Sequence, residues 1–176
     1  MKENIKIAIG GKSGCGNTTV SKIVADRLGL KFINFTFRSL AEEKGISLKE
    51  MLDLAANDDS FDREVDLRQV QLARESKGCV IGSRLSIWML EEADLKVYLT
   101  AKAETRAARI VNREGGDLDA VAAFTSERDR QDNIRYKRIY NIDNDNYHFA
   151  DLIIDTDDLN PEQIAQLIID AAEKES

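Results

Sequence analysis

The chain has 176 residues, 43% of them hydrophobic and 32% charged, with ten glycines and a single proline, which is enough apolar material for one buried core and excludes fibrous, collagen-like and disordered classes. No apolar run approaches the roughly 18 residues that a membrane span needs. Two cysteines, Cys15 and Cys79, and one histidine, His148, argue against a disulfide framework, a zinc site or a His-based hydrolase. Met1-Lys2-Glu3-Asn4 runs straight into a strand-like segment without the basic, apolar and small-residue regions of a signal peptide, so a cytoplasmic location is expected.

The net charge is −7, and its distribution says more than its total. Residues 1–101 balance, residues 102–140 carry nine Lys/Arg against seven Asp/Glu, and residues 141–176 carry one Lys against ten Asp/Glu. Seven of the thirteen arginines fall in the middle segment. Crowded planar donors in an acidic protein suit a small polyanion such as a nucleotide; long nucleic acid would be repelled by the rest of the surface.

In chain order, Ile5 to Ile9 is a nearly continuous apolar run, as in a parallel strand covered on both faces. A glycine-rich loop follows, and Val20, Ile23, Val24 and Leu28 then recur at helical spacing, stopped by Gly29. Lys31 to Asn34 reads as the second strand. Residues from about 36 to 76 hold helical stripes, Leu48, Met51, Leu52 and Ala55, then Phe61, Val65 and Leu72, with no strand between them. Cys79 to Gly82 and Leu95 to Leu99 are the next strands, and residues from about 102 to 147 again contain helix with no intervening strand. Leu152 to Asp155 is the last strand. The final helix opens with Asn160 as N-cap and Pro161 at its first position, and carries Ile164, Leu167, Ile168 and Ala171. Strands alternating with helices predict an α/β fold, a three-layer sandwich on a five-stranded parallel sheet in one domain over 1–176, with two helical inserts projecting from it. Inserts of that kind commonly hold function.

Gly11-Lys12-Ser13-Gly14-Cys15-Gly16-Asn17-Thr18-Thr19 has the spacing of a P-loop, G-x-x-x-x-G-K-[ST], between a strand and a helix. Backbone amides and a helix N-terminus would converge on phosphate oxygens, and Thr18 would offer a hydroxyl to Mg²⁺. Asn17 stands where a lysine normally reaches the β- and γ-phosphates. Lys12 lies five residues earlier, as in deviant P-loops, so it either folds back over the phosphates or is a solvated loop residue. No D-x-x-G or N-K-x-D element of a GTPase is present, and no acidic residue closes a middle strand as in motor ATPases.

A P-loop followed by arginines in two helical inserts resembles the nucleoside monophosphate kinases, and the likeness to archaeal-type cytidylate kinases extends over nearly the whole chain. Phe37-Arg38 followed by Leu40 to Glu50 is similar to that family's F-R-x-L-A-x-E-x-G-x-S-L-x-E segment, Asp62 to Gln69 to its second signature, and Arg84-Leu85 with Trp88-Met89 to its third. Arg135 to Asp143 resembles its R-Y-x-x-I-Y-x-I-D run. Gly82-Ser83 stands where the family's E-G precedes the arginine.

The resemblance implies transfer of the ATP γ-phosphate to CMP, with dCMP as a further acceptor, Mg²⁺ as cofactor, no nucleic-acid or membrane partner, and a monomer. The insert at 36–76 would bind the monophosphate and that at 102–147 would be a lid turning at Gly115-Gly116. Gly11 to Thr19, together with Arg106 and Arg109, would bind ATP, with Thr18 at the metal. Lys12, Arg128 and Arg135 would stabilise the charge in flight. Arg38 and Arg84 would clamp the acceptor phosphate. Cytosine presents an exocyclic amine beside acceptors, which asks for a carboxylate next to an arginine or amide, and Asp62, Arg63 and Asp66 offer it. Arg106, Arg109 and Arg113, and again Arg128, Arg135 and Arg138, share helical faces by spacing; the alternative is a solvated face paired with Glu104, Asp129 and Asp132. Three readings stay open: a CMP kinase; a kinase of the same architecture for UMP, AMP or a metabolite; and a nucleotide-binding module that has lost transfer.

Overall fold

A computed structural model of the protein describes residues 4–174. Met1-Lys2-Glu3, on which part of the leader reading rests, lie outside the described residues. Five strands, β1 (Lys6–Gly11), β2 (Lys31–Ile33), β3 (Cys79–Gly82), β4 (Leu95–Thr100) and β5 (Leu152–Asp155), form one parallel sheet in the order β2-β3-β1-β4-β5. Eight helices accompany them: α1 (Asn17–Leu28), α2 (Phe37–Lys44), α3 (Leu48–Ala55), α4 (Ser60–Glu75), α5 (Ser86–Met89), α6 (Ala103–Glu114), α7 (Leu118–Tyr140) and α8 (Pro161–Lys174).

Alternation along the central strand divides the core. Ile5, Ile7 and Ile9 face α1 and α8, where they meet Val20, Val24, Ile164 and Ile168. Ala8 faces the opposite side with Ile81, Ile87, Leu90 and Tyr98, beneath α4 and α5. Both faces of the sheet are therefore covered, which is why the strands read as nearly continuous apolar runs. A third, smaller cluster of Phe35, Leu40, Ala41, Met51 and Val65 knits α2, α3 and α4 together away from the sheet.

Local signals set the helix ends. Gly29 and Gly45 close α1 and α2 with left-handed backbone. Ser47 and Glu50 form a reciprocal capping box on α3, and Asn160 with Gln163 does the same before α8. Two apolar stripes need correcting. On α3 only Met51 is buried, and Leu52 is 47% exposed. On α8 the buried face is Ile164, Ala165, Ile168, Ile169 and Ala172, and Leu167 is 45% exposed, because the helix lies rotated from the predicted stripe to fit α1. No helix among the described residues is long and apolar enough to cross a membrane.

Strand β1 is the switch point of this order: the chain leaves it for β2, beyond β3 on one side, and returns later to β4 on the other. In open α/β sheets ligands bind at the carboxyl ends of the strands at such a point, and here that end carries the glycine-rich loop.

Candidate active site

The loop between β1 and α1 is built to leave amides unclaimed. Gly16 caps α1 with left-handed backbone and offers no side chain, and the first turn of the helix carries no acidic residue. The first N–H groups of α1 are thus open to an anion, with the helix dipole behind them. Gly14 has φ +82°, and a Cβ there would lie 2.8 Å from the Arg106 carbonyl oxygen, so the loop touches α6 backbone to backbone.

Arg106 and Arg109 hold the loop from outside the cleft. Arg106 donates to the Ser13 carbonyl at 3.2 Å and pairs with Asp129 at 2.7 Å. Arg109 donates to the Gly14 carbonyl at 3.2 Å and to the hydroxyl of Thr156 at 2.9 Å. Both guanidinium groups therefore buttress the loop in this conformation, tying it to α6, α7 and the end of β5. Cys15 is buried within the loop at 2% exposure, and burial pushes its thiol above the ordinary value.

Asn17 turns back on its own loop: its Nδ2 donates to the Gly11 carbonyl at 2.7 Å, while its Oδ1 is buried without a partner. Lys12 lines the cleft, and its ammonium is engaged by Asp145 at 2.6 Å. Thr18 and Thr19 are exposed at the cleft floor, and Thr18 makes no side-chain hydrogen bond among the described residues.

The cleft measures about 370 Å³ and opens from this loop toward α4 and α7. Arg84, Arg113, Arg128 and Arg135 enter it from the end of β3, from α6 and from α7. Arg84 and Arg135 share Asp132, and Arg135 also lies 3.2 Å from Asp62. Arg128 has no carboxylate within ion-pair distance among the described residues; burial, and then the neighbouring Arg84, push its pKa down from the ordinary value. An arginine under such electrostatic pressure seeks an anion. The acidic residues interleaved on α7 do not form a solvated face, because Asp129 and Asp132 point inward to Arg106, Arg84 and Arg135.

At the far end, Asp62, Asp66 and Gln69 lie on one face of α4 and line the cleft. Burial raises the pKa of Asp62, and raises that of Asp66 to about 6 against the hydrogen bond that it accepts from the Tyr140 hydroxyl at 2.5 Å. Arg63 faces away from the cleft, so the arginine beside Asp62 is Arg135 of α7. Arg38 is exposed on α2, outside the cleft lining, although its neighbour Phe37 is part of it. Arg138 pairs with Asp59 at 2.7 Å on the surface. Asn34, Phe35, Thr36, Gln69, Asp132 and Tyr136 were not among the predicted site residues. Asp132 had a signal, four residues after Arg128 and three before Arg135, and Gln69 and Tyr136 lie within segments that resemble the family; Asn34, Phe35 and Thr36 are placed by tertiary packing alone.

A metal ion would have little protein to hold it. No group of three or more His, Cys, Asp or Glu side chains among the described residues is placed to bind one. The free hydroxyl of Thr18 is the hard oxygen donor at the phosphate end, which fits Mg²⁺ carried largely by substrate phosphates and water.

The profile of the cytidylate kinase-like family matches residues 6–158. The chain is 46% identical over 174 residues to cytidylate kinase 2 of Borreliella burgdorferi, covering 97% of this chain and 96% of that protein. It is 41% identical over 171 residues to the cytidylate kinase of Archaeoglobus fulgidus, covering 96% and 95%. Among solved structures, shikimate kinase from Bacteroides thetaiotaomicron superposes with TM-score 0.67 at 17% identity, covering 96% of this chain and 98% of that one. Deoxyadenosine kinase from M. mycoides with bound dATP gives TM-score 0.57 at 15% identity, covering 96% and 100%. These two likenesses concern the fold.

Proposed function

The chain belongs to the cytidylate kinase-like family, and from that membership we propose that it transfers the γ-phosphate of ATP to CMP, and to dCMP as a further acceptor, yielding ADP and the pyrimidine diphosphate. The observation that carries the reading is the opposition, across one cleft, of the open amides of α1 to Arg84, Arg128 and Arg135. Phosphoryl transfer needs little covalent help from the protein: two polyanions must be held in line while charge spreads over the group in flight. ATP phosphates lie in the Gly11–Thr19 loop, which Arg106 and Arg109 keep in shape. The Thr18 hydroxyl would help to hold Mg²⁺, which when bound would supply charge neutralisation at the phosphates. Arg84 clamps the acceptor phosphate, and Arg128 and Arg135 face the transferred group. Arg38 joins Arg84 only after α2 moves toward the cleft.

In this reading residues 36–76 form the monophosphate-binding insert and residues 102–147 the lid of a single kinase domain. Arg128 gains a counter-ion, and Arg135 exchanges part of its pairing with Asp132, when phosphates enter, so nucleotide binding draws α7 over the cleft and excludes water. The protein acts as a cytoplasmic monomer on free nucleotides.

A second reading, a nucleotide-binding module without transfer, is favoured by Asn17 and by the engagement of Lys12 with Asp145. A coupled assay of ADP production over CMP, dCMP, UMP and AMP tests both. Turnover with CMP at a rate well above the ATPase background is expected; ATP binding with no turnover on any acceptor sinks the kinase reading.

A further inference from the structure

The amide of Gln69 is a buried polar group of the cleft that none of the roles above uses. Gln69 is 5% exposed, lines the cleft, and its Oε1 is buried without a hydrogen-bond partner. A buried carboxamide left open in this way is costly unless something completes it. It stands three residues after Asp66, so the two side chains share the inner face of α4, while Arg63, Glu64, Leu67 and Arg68 face out. Tyr140 donates to Oδ2 of Asp66, which leaves Oδ1 as a fixed acceptor. Phe35, Phe37 and Val65 supply flat apolar wall to the same cleft.

We infer that Asp66 and Gln69 together read the edge of the pyrimidine base, Asp66 accepting a hydrogen bond from the 4-amino group and the Gln69 carboxamide, turned about its last torsion, donating from Nε2 to ring atom N3. The inference rests on the reading of CMP as acceptor and adds to it the groups that select the base. Cytosine places a donor beside an acceptor at these two positions, and uracil the reverse. Gln69 alone would serve either base, because its amide turns about its last torsion. Asp66 cannot turn so, since both its oxygens only accept when ionised and Tyr140 holds one of them. The carboxylate therefore fixes the sense of the pair, and the O4 of uracil would face it lone pair to lone pair. Asp62 is not free for this task, because Arg135 lies 3.2 Å from it.

The test compares kcat/KM for CMP and UMP in the wild type, Gln69→Met and Asp66→Asn, with ATP varied in parallel. Gln69→Met keeps the volume and removes the amide. It is expected to lower kcat/KM for CMP about 10- to 100-fold, to leave the KM for ATP unchanged, and to hold the melting temperature, since no native hydrogen bond is lost. Asp66→Asn brings a donor to the same place and is expected to move the UMP:CMP ratio toward UMP at least tenfold. Should Asp66→Asn fail to fold, the Gln69→Met result decides alone. If the wild type turns over CMP and Gln69→Met matches it, or loses CMP and UMP activity equally along with melting temperature, the inference is overturned and the kinase reading stands. A wild type that phosphorylates no pyrimidine monophosphate overturns both.

Discussion

One carboxylate oxygen of Asp132 lies 3.1 Å from Arg84 and the other 3.1 Å from Arg135, so a single side chain, 4% exposed, bridges the end of β3 to the middle of α7. The same two arginines face the cleft. In the proposed mechanism Asp132 supplies to these arginines the negative charge that a phosphate would supply in the complex.

Asp132→Asn should therefore destabilise the free protein more than the liganded one. Breaking a fully buried pair costs about 3–5 kcal/mol; here both arginines keep some solvent, so roughly 2–3 kcal/mol is expected. Urea unfolding with and without ATP plus CMP measures it. The deficit should shrink when nucleotides are present, and an equal deficit in both conditions would leave Asp132 a purely structural residue.

Lys12→Ala should lower turnover by about 10²-fold or more, the scale of losing one preorganised electrostatic contact to the transition state. ATP binding should survive on the backbone amides. Because Asp145 restrains the ammonium, Asp145→Asn should change turnover in the opposite direction or leave it unaltered. Near-native turnover of Lys12→Ala at saturating ATP would return the residue to the class of solvated loop lysines.

The pKa of Asp66 yields two pH trends of opposite sense. Burial raises it from 3.8 to about 6 in the folded state, so the folded protein holds this proton more firmly than the unfolded chain. Its contribution to stability is greatest below pH ~4 and declines as pH rises toward ~6, by on the order of 3 kcal/mol. If Asp66 reads the base as proposed, CMP recognition needs the ionised form, and the KM for CMP should fall as pH rises through about 6. Asp66→Asn should flatten both profiles, measured by urea unfolding and by initial rates from pH 5 to 7.5.

Gly82 closes β3 directly against α1. A Cβ there would sit 2.8 Å from the Cβ of Ser21 and closer still to its hydroxyl oxygen. Gly82→Ala should cost roughly 1–3 kcal/mol through overpacking and raise the KM for CMP by displacing Arg84, two residues on. Ser21→Gly should rescue both effects, and thermal unfolding of the single and double variants decides.

Much of this could be read from the chain because its signals are local. The five strands fall within two residues of their apolar runs, and the glycine spacing located the phosphate loop without further help. Less legible was the direction in which the arginines point. Arg106, Arg109 and Arg113 share a face by spacing, yet the first two hold carbonyl oxygens of the loop and only Arg113 lines the cleft. Those partners are more than ninety residues away and appear only once β4 lies beside β1. Gln69 closes a segment that resembles the family, yet its role was not legible for a similar reason: a neutral amide acquires meaning only from the groups packed around it. Leu52 and Leu167 mislead in the other sense, as apolar residues whose neighbours do not extend far enough to cover them.

The burial of Cys15 turns the phosphate loop into a timer of its own opening. Its thiol has almost no contact with solvent and burial pushes its pKa up, and Cys79, pushed up to about 11, is buried at the start of β3. A thiol reagent can therefore modify Cys15 only during excursions in which the loop peels from Arg106 and Arg109. Under native conditions the alkylation rate counts those excursions, and ATP, which needs the loop closed, should slow the count in proportion to its occupancy.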